Sequence, residues 1–261
     1  MTTPDVVAAQ SRLARAAWRA GLLAELGPAV LVLAAWAALV VSGRQGAGMD
    51  MGAHPDSAWK AAAAGLPGWM LMTVAMMGPA ALARFRCIGS AAVHAARATA
   101  GFALAYLAVW AVFGLGVQAA AARFADVPGT QALALALLAA VAWQLSPVKR
   151  RLLRGSHRDP GGPPAGALSG REAVGHGLRY GLCCLGACWC LMLVMVAAPA
   201  GQLLWLAGLT ALVTAERVFP GTDAAARVAA AALGVALAAT LAVGGLFLSS
   251  NCNPAAPSGD L

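Results

Sequence analysis

The sequence predicts an all-α, polytopic integral membrane bundle of about seven transmembrane helices, with the N-terminus cytoplasmic and the C-terminus outside. Three observations predict it. The chain is 61% hydrophobic and only 11% charged, with a mean hydropathy of +0.74, whereas a soluble domain carries about 25% charged residues. Seven apolar runs follow one another, each about 17 to 26 residues long, near the length that crosses roughly 30 Å of hydrocarbon. The basic residues then divide between alternate loops as membrane orientation demands.

The runs are Leu22–Val41, Leu66–Ala83, Ala98–Ala122, Gly129–Leu145, Tyr180–Ala198, Gly201–Phe219 and Ala224–Ser249. The first is too long for a signal-peptide core, and no small-residue cleavage site follows it. The second contains Pro67 and Pro79, which kink a membrane helix without ending it when a neighbour satisfies the freed carbonyl. A single bundle over residues 22–249 therefore lies between a basic cytoplasmic tail, 1–21, and a short outer tail, 250–261. Ser156–Gly170, with its Pro160-Gly161-Gly162-Pro163-Pro164 stretch, reads as a flexible linker.

Fifteen of the 18 Lys and Arg fall on one side under this arrangement. They are Arg12, Arg15 and Arg19 in the tail, Arg84, Arg86 and Arg97 in the second loop, and Arg217 and Arg227 in the sixth. The fourth loop carries Lys149, Arg150, Arg151, Arg154, Arg158, Arg171 and Arg179. Only Arg44, Lys60 and Arg123 fall outside. Shifting any one span would scatter these charges. The formal charge of +8 thus belongs to membrane topology. No long basic or aromatic-interleaved segment supports nucleic-acid binding.

Sulfur is concentrated rather than spread. Met70, Met72, Met76 and Met77 lie on the second run, Met192 and Met195 on the fifth, and Met49 and Met51 in the first outer loop. Cys183, Cys184, Cys188 and Cys190 crowd the fifth run, where bridge geometry does not suit neighbours on one helix. Soft sulfur selects soft ions, above all Cu(I). Residues four apart share a helix face, so Cys184, Cys188 and Met192 form one stripe and Met72 and Met76 another. Counted from the inner ends at Ala83 and Tyr180, Met76 and Cys188 lie roughly 10 and 12 Å deep. Met72 and Met192 lie roughly 16 and 18 Å deep by the same rise. Two facing stripes at one level make a three- or four-sulfur site if the helices adjoin. The competing reading is packing, since methionine fills core gaps and cysteine behaves as a small apolar residue. Cys183 and Cys190 point elsewhere and are read as packing or lipid-facing.

Outside, Met49-Asp50-Met51 with His54 offers a mixed set for capturing a thiophilic ion. Inside, Glu216 near the end of the sixth run is a functional candidate, because a carboxylate at that depth needs a partner, a metal or water. Its structural alternative is an ion pair with Arg217 or Arg179. The seventh run has no lysine for a retinal Schiff base. No nucleotide-binding glycine motif or paired-histidine zinc motif occurs, and no internal repeat of the transporter kind is visible. No nucleophile–base pair suggests an enzyme.

Three stretches resemble the signature of a bacterial family of uncharacterised function, known as predicted metal-binding integral membrane proteins. They are Gly68-Trp69-Met70-Leu71-Met72-Thr73-Val74-Ala75-Met76-Met77-Gly78-Pro79, Trp143-Gln144-Leu145-Ser146-Pro147-Val148-Lys149-Arg150, and Gly177 through Trp189. Leu203-Leu204-Trp205 through Glu216-Arg217 completes the pattern. The resemblance implies metal-site positions at Met72, Met76, Met77, Cys184, Cys188 and Met192, with Glu216 as the acidic member. The chain departs from the pattern in lacking cysteines between Arg151 and His157, and in carrying Ala187 and Gln202. The expectation is a copper-handling, multi-pass protein of the bacterial inner membrane, non-enzymatic, that meets the lipid bilayer and a metal-delivery or assembly partner. A scaffold whose sulfur only packs is the alternative. A small-solute permease ranks lower, for Gln118, Gln144 and Gln202 make a sparse polar lining.

Overall fold

The computed structural model describes residues 25–42, 58–92, 94–121, 127–157, 168–198, 202–218 and 223–251, together with Arg15 and Arg19. Among them the regular structure is helical, with no strand and one isolated bridge between Ala92 and Leu168. The helices are α1 (Glu25–Ser42), α2 (Ala58–Ala91), α3 (Ala95–Ala121) and α4 (Gly129–Leu145), then α5 (Pro147–His157), α6 (Gly170–Ala197), α7 (Gln202–Val218) and α8 (Asp223–Asn251). Met49, Met51 and His54 lie outside the described residues.

By length and composition α1, α2, α3 and α6 suffice to cross a membrane, and the bent pair α4–α5 makes a fifth candidate. Helix α7 has 17 residues, and the apolar part of α8 runs over Ala226–Ala242. Leu104, Val112, Leu204 and Val235 are among the large apolar side chains on the outside. A helical bundle with such a surface is compatible with insertion in lipid.

Helix α2 is continuous over 34 residues although Pro67 and Pro79 are inside it. Proline at 79 cannot donate to the carbonyl four residues earlier, at Ala75. That carbonyl accepts the indole N–H of Trp36, from α1, at 3.0 Å. A Cβ on Gly78 would collide with Val32, so the small residue lets α1 close over the break.

Helix α6 begins ten residues before the apolar run expected at Tyr180. Ser169 accepts from the Glu172 amide at 3.3 Å while the Glu172 carboxylate accepts from the Ser169 amide at 2.7 Å. This reciprocal capping box starts the helix in polar sequence. Leu168 is buried just before it, so the end of Ser156–Gly170 is anchored rather than loose.

The core forms around α3, which packs most extensively against α6 and α2. Along α6, Ala173, Gly177, Tyr180, Gly181, Cys184, Cys188, Leu191, Met192 and Met195 are buried at helical spacing. Gly177 permits the close approach: a Cβ there would strike the Phe102 carbonyl of α3. Helix α7 lies against α2, and α8 against α4.

The fourth basic segment begins as a helix, over Pro147–His157. Ser146 ends α4 and its hydroxyl accepts from the Lys149 amide at 3.1 Å. With proline at the first helical position, the sequence Ser146-Pro147 starts a new helix. Helix α5 leaves α4 at 67° and packs on α6, so Lys149 is carried into the bundle rather than out to solvent.

Candidate metal centre

Both thiols of the Cys184–Cys188 pair are sealed from solvent, at 1% and 0% exposure. They lie one turn apart on α6, both in the buried core. The Cys184 sulfur is 4.0 Å from the Met77 sulfur of α2 and 3.3 Å from the Tyr106 hydroxyl of α3. Helices α2 and α6 meet mainly through long side chains, with α3 packed against both. The Tyr180 hydroxyl makes a second such link, donating to the Ala80 carbonyl of α2 at 3.1 Å.

Aromatic rings pack beside the thiols. Tyr106 and Tyr180 lie 5.7 Å apart between centroids, and Phe102 lies 5.9 Å from Tyr180. The guanidinium groups of Arg217 and Arg84 stand over the Tyr180 ring at 5.3 and 5.6 Å. Such contacts are favourable where water is scarce.

Next to this cluster is a buried ion pair. Lys149 Nζ donates to the two carboxylate oxygens of Glu216 at 2.9 and 2.8 Å, and also to the Gln144 side-chain oxygen. Gln144 Nε2 in turn donates to Glu216. Lys149, Gln144 and Glu216 are 0%, 1% and 6% exposed. Glu216 thus pairs with Lys149, not with Arg217 or Arg179. The sequence placed Lys149 among the loop charges; the helix break at Ser146 places it inside.

The expected site residues separate into two groups. Cys184, Cys188 and Met77 come together, and Met72, Met76 and Met192 are fully buried in the same core. The sulfur that approaches Cys184 is Met77, outside the Met72–Met76 stripe that matched it by depth. Cys190 is buried and Cys183 half-buried. Among the described residues no three His, Cys, Asp or Glu gather as a metal site, so a site here is made of two thiols and thioether. That donor set is soft, which fits Cu(I) and disfavours Mg or Ca.

Tyr106, Tyr180, Lys149 and Arg217 were missed as members of the site. One signal was present: Tyr106 and Tyr180 are the two tyrosines of the chain, and a phenol inside an apolar run needs a hydrogen-bond partner.

Residues 66–242 match the family model PpoB2, described as a copper chaperone. The chain belongs to the PpoB2 copper chaperone family. The matched segment contains every residue of the thiol cluster and of the Lys149–Glu216 pair. No curated protein and no solved structure matches the chain.

Proposed function

We propose that this PpoB2 family member is a multi-pass protein of the bacterial inner membrane that binds copper as Cu(I) and passes it to a partner protein. The approach of Met77 to the buried Cys184–Cys188 pair supports the reading most. Two thiols one turn apart and a thioether from another helix supply soft ligands away from water. Thiolates are the usual ligand form, so loading releases protons. Met72, Met76 and Met192 serve as further thioethers along the core, and Glu216 serves the site by neutralising Lys149. Met49, Met51 and His54 form an outer capture point.

The topology proposed with it has seven spans in one bundle over 22–249, the 1–21 tail inside and the 250–261 tail outside. The basic-residue asymmetry supports that orientation. No chemical reaction is assigned to the chain.

The test is metal analysis of detergent-purified protein prepared under reducing conditions with added Cu(I). Cys184→Ser and Cys188→Ser, singly and together, should lower copper per protein. Copper content equal to wild type in the double variant would sink the reading and leave a scaffold whose sulfur only packs.

A further inference from the structure

We propose that Tyr106 is the positioning residue of the thiol site: its hydroxyl donates to the Cys184 sulfur when a soft ion is bound, and holds that thiolate in place. This rests on the reading that Cys184 and Cys188 are the ligands. The Tyr106 hydroxyl is 3.3 Å from the Cys184 sulfur, and either atom can be the donor. Both residues are buried, at 4% and 1% exposure. The Met77 sulfur lies 4.0 Å from the same thiol. One sulfur thus meets a thioether from α2, which can share a metal with it, and a phenol from α3, which can donate to it.

The phenol is held where it can do this. Tyr106 stacks on Phe102, one turn earlier on α3, with the ring planes 5° apart at 6.4 Å. Helix α6 comes close at Gly181, where a Cβ would stand 3.1 Å from the Val109 side chain and 3.5 Å from the Tyr106 Cα. Gly181 is three residues before Cys184, so this close approach sets the reach of the hydroxyl to the thiol. The other tyrosine is not equivalent. Its hydroxyl donates to the Ala80 carbonyl at 3.1 Å, a tie between helices that involves no sulfur. Among the described residues, the Tyr106 hydroxyl has the Cys184 sulfur as its hydrogen-bond partner.

The exchange balances without the phenol. One Cu(I) displaces the two thiol protons, which leave to solvent, and two metal–sulfur bonds replace two S–H bonds. No electron moves, and the phenol neither gains nor loses a proton. Its O–H turns to the sulfur that has given up its own hydrogen. A neutral thiol is a weak acceptor, whereas a hydrogen bond to an ionised acceptor is about twice as strong as one between neutral groups. The contact therefore favours the loaded site over the empty one, in a core where charge without a partner is costly. Hydrogen bonds from outside the ligand set orient metal ligands in the same way elsewhere.

The experiment measures Cu(I) affinity of the purified full chain, anaerobic and reduced, against a chelator of known affinity. The ultraviolet sulfur-to-copper charge-transfer band of the loaded protein is recorded beside it. Tyr106→Phe keeps the ring and should lower affinity roughly 10-fold or more, the scale for outer partners of a metal ligand, at unchanged copper stoichiometry. It should also move the band to longer wavelength, because a thiolate without its hydrogen bond gives up electron density more readily. A ring that only packs would move no band. Gly181→Ala crowds α3 at Tyr106 and Val109 and should act in the same direction by less. If Tyr106→Phe does not purify as a monodisperse protein, Gly181→Ala decides alone. Trp69→Phe breaks a different buried bond between α2 and α3, to the Trp110 carbonyl at 2.9 Å, and should leave affinity and band as they are. Unchanged affinity in Tyr106→Phe, a loss without the band shift, or an equal change in Trp69→Phe overturns the proposal. Copper binding that survives Cys184→Ser/Cys188→Ser is a different failure: it removes the site itself, whatever Tyr106 does.

Discussion

Two polar clusters interrupt the same apolar core, and they are satisfied in different ways. In one, Lys149 and Glu216 neutralise each other at 2.8 Å while Gln144 uses both its amide oxygen and its amide nitrogen on the pair. In the other, Cys184, Cys188, Tyr106, Tyr180, Arg217 and Met77 meet through softer contacts, at 3.3 Å between phenol and thiol and 4.0 Å between the sulfurs. The first cluster is complete as it stands. The second has thiols and a thioether that no counter-charge or strong hydrogen bond occupies, which under the proposed function leaves them available to a soft ion. The difference teaches that burial of polar groups has two uses here: one tethers α5 to α7, the other keeps soft donors dry.

The largest expected effect tests the tether. Lys149→Met leaves the Glu216 carboxylate buried without its counter-charge, and should cost about 3–5 kcal/mol of stability in detergent unfolding. Copper per folded protein should stay near the wild-type value; a parallel loss would mean that the two clusters act as one. Met77→Leu has a smaller structural effect, below about 1.5 kcal/mol for a volume-conserving exchange. It removes a thioether, so Cu(I) affinity should fall roughly tenfold, on the scale of lost supporting interactions around a metal. Tyr106→Phe removes only the hydroxyl and should cost about 0.6 kcal/mol, the average for hydrogen bonds between membrane helices. Near-neutral stability is expected from Lys149→Met combined with Glu216→Leu, which replaces the whole pair by apolar volume and should unfold within about 0.5 kcal/mol of wild type. That result would show that the tether adds little net stability.

Much of the fold was legible because it depends on local pattern. The run read as Gly129–Leu145 is α4 at those bounds, and Gly201–Phe219 became Gln202–Val218. Ends defined by polar chemistry were less legible. The start of α6 at Gly170 depends on the Ser169–Glu172 box, ten residues outside the apolar run. Likewise, Lys149 reads as one more basic loop residue until Ser146 and Pro147 are taken together as a helix start.

The site was legible as chemistry but not as contact. Cys184 and Cys188 could be paired from spacing alone, because one helix turn brings them together. Met77 could not be preferred to Met76, because that choice depends on how α2 is rotated against α3 and α6.

The sequence by itself determined that this chain is an apolar helical bundle with soft ligands on two of its helices, since composition and helical periodicity act within a few turns. Only the tertiary structure decided which groups meet. The Lys149–Glu216 pair joins residues 67 apart in the chain, and the Met77–Cys184 approach joins residues 107 apart. Such partners are chosen by helix rotation and close packing, with Gly177 admitting α3 and Trp36 satisfying the carbonyl freed by Pro79. Those choices depend on how whole helices rotate and pack against one another, so no local stretch of sequence contains them.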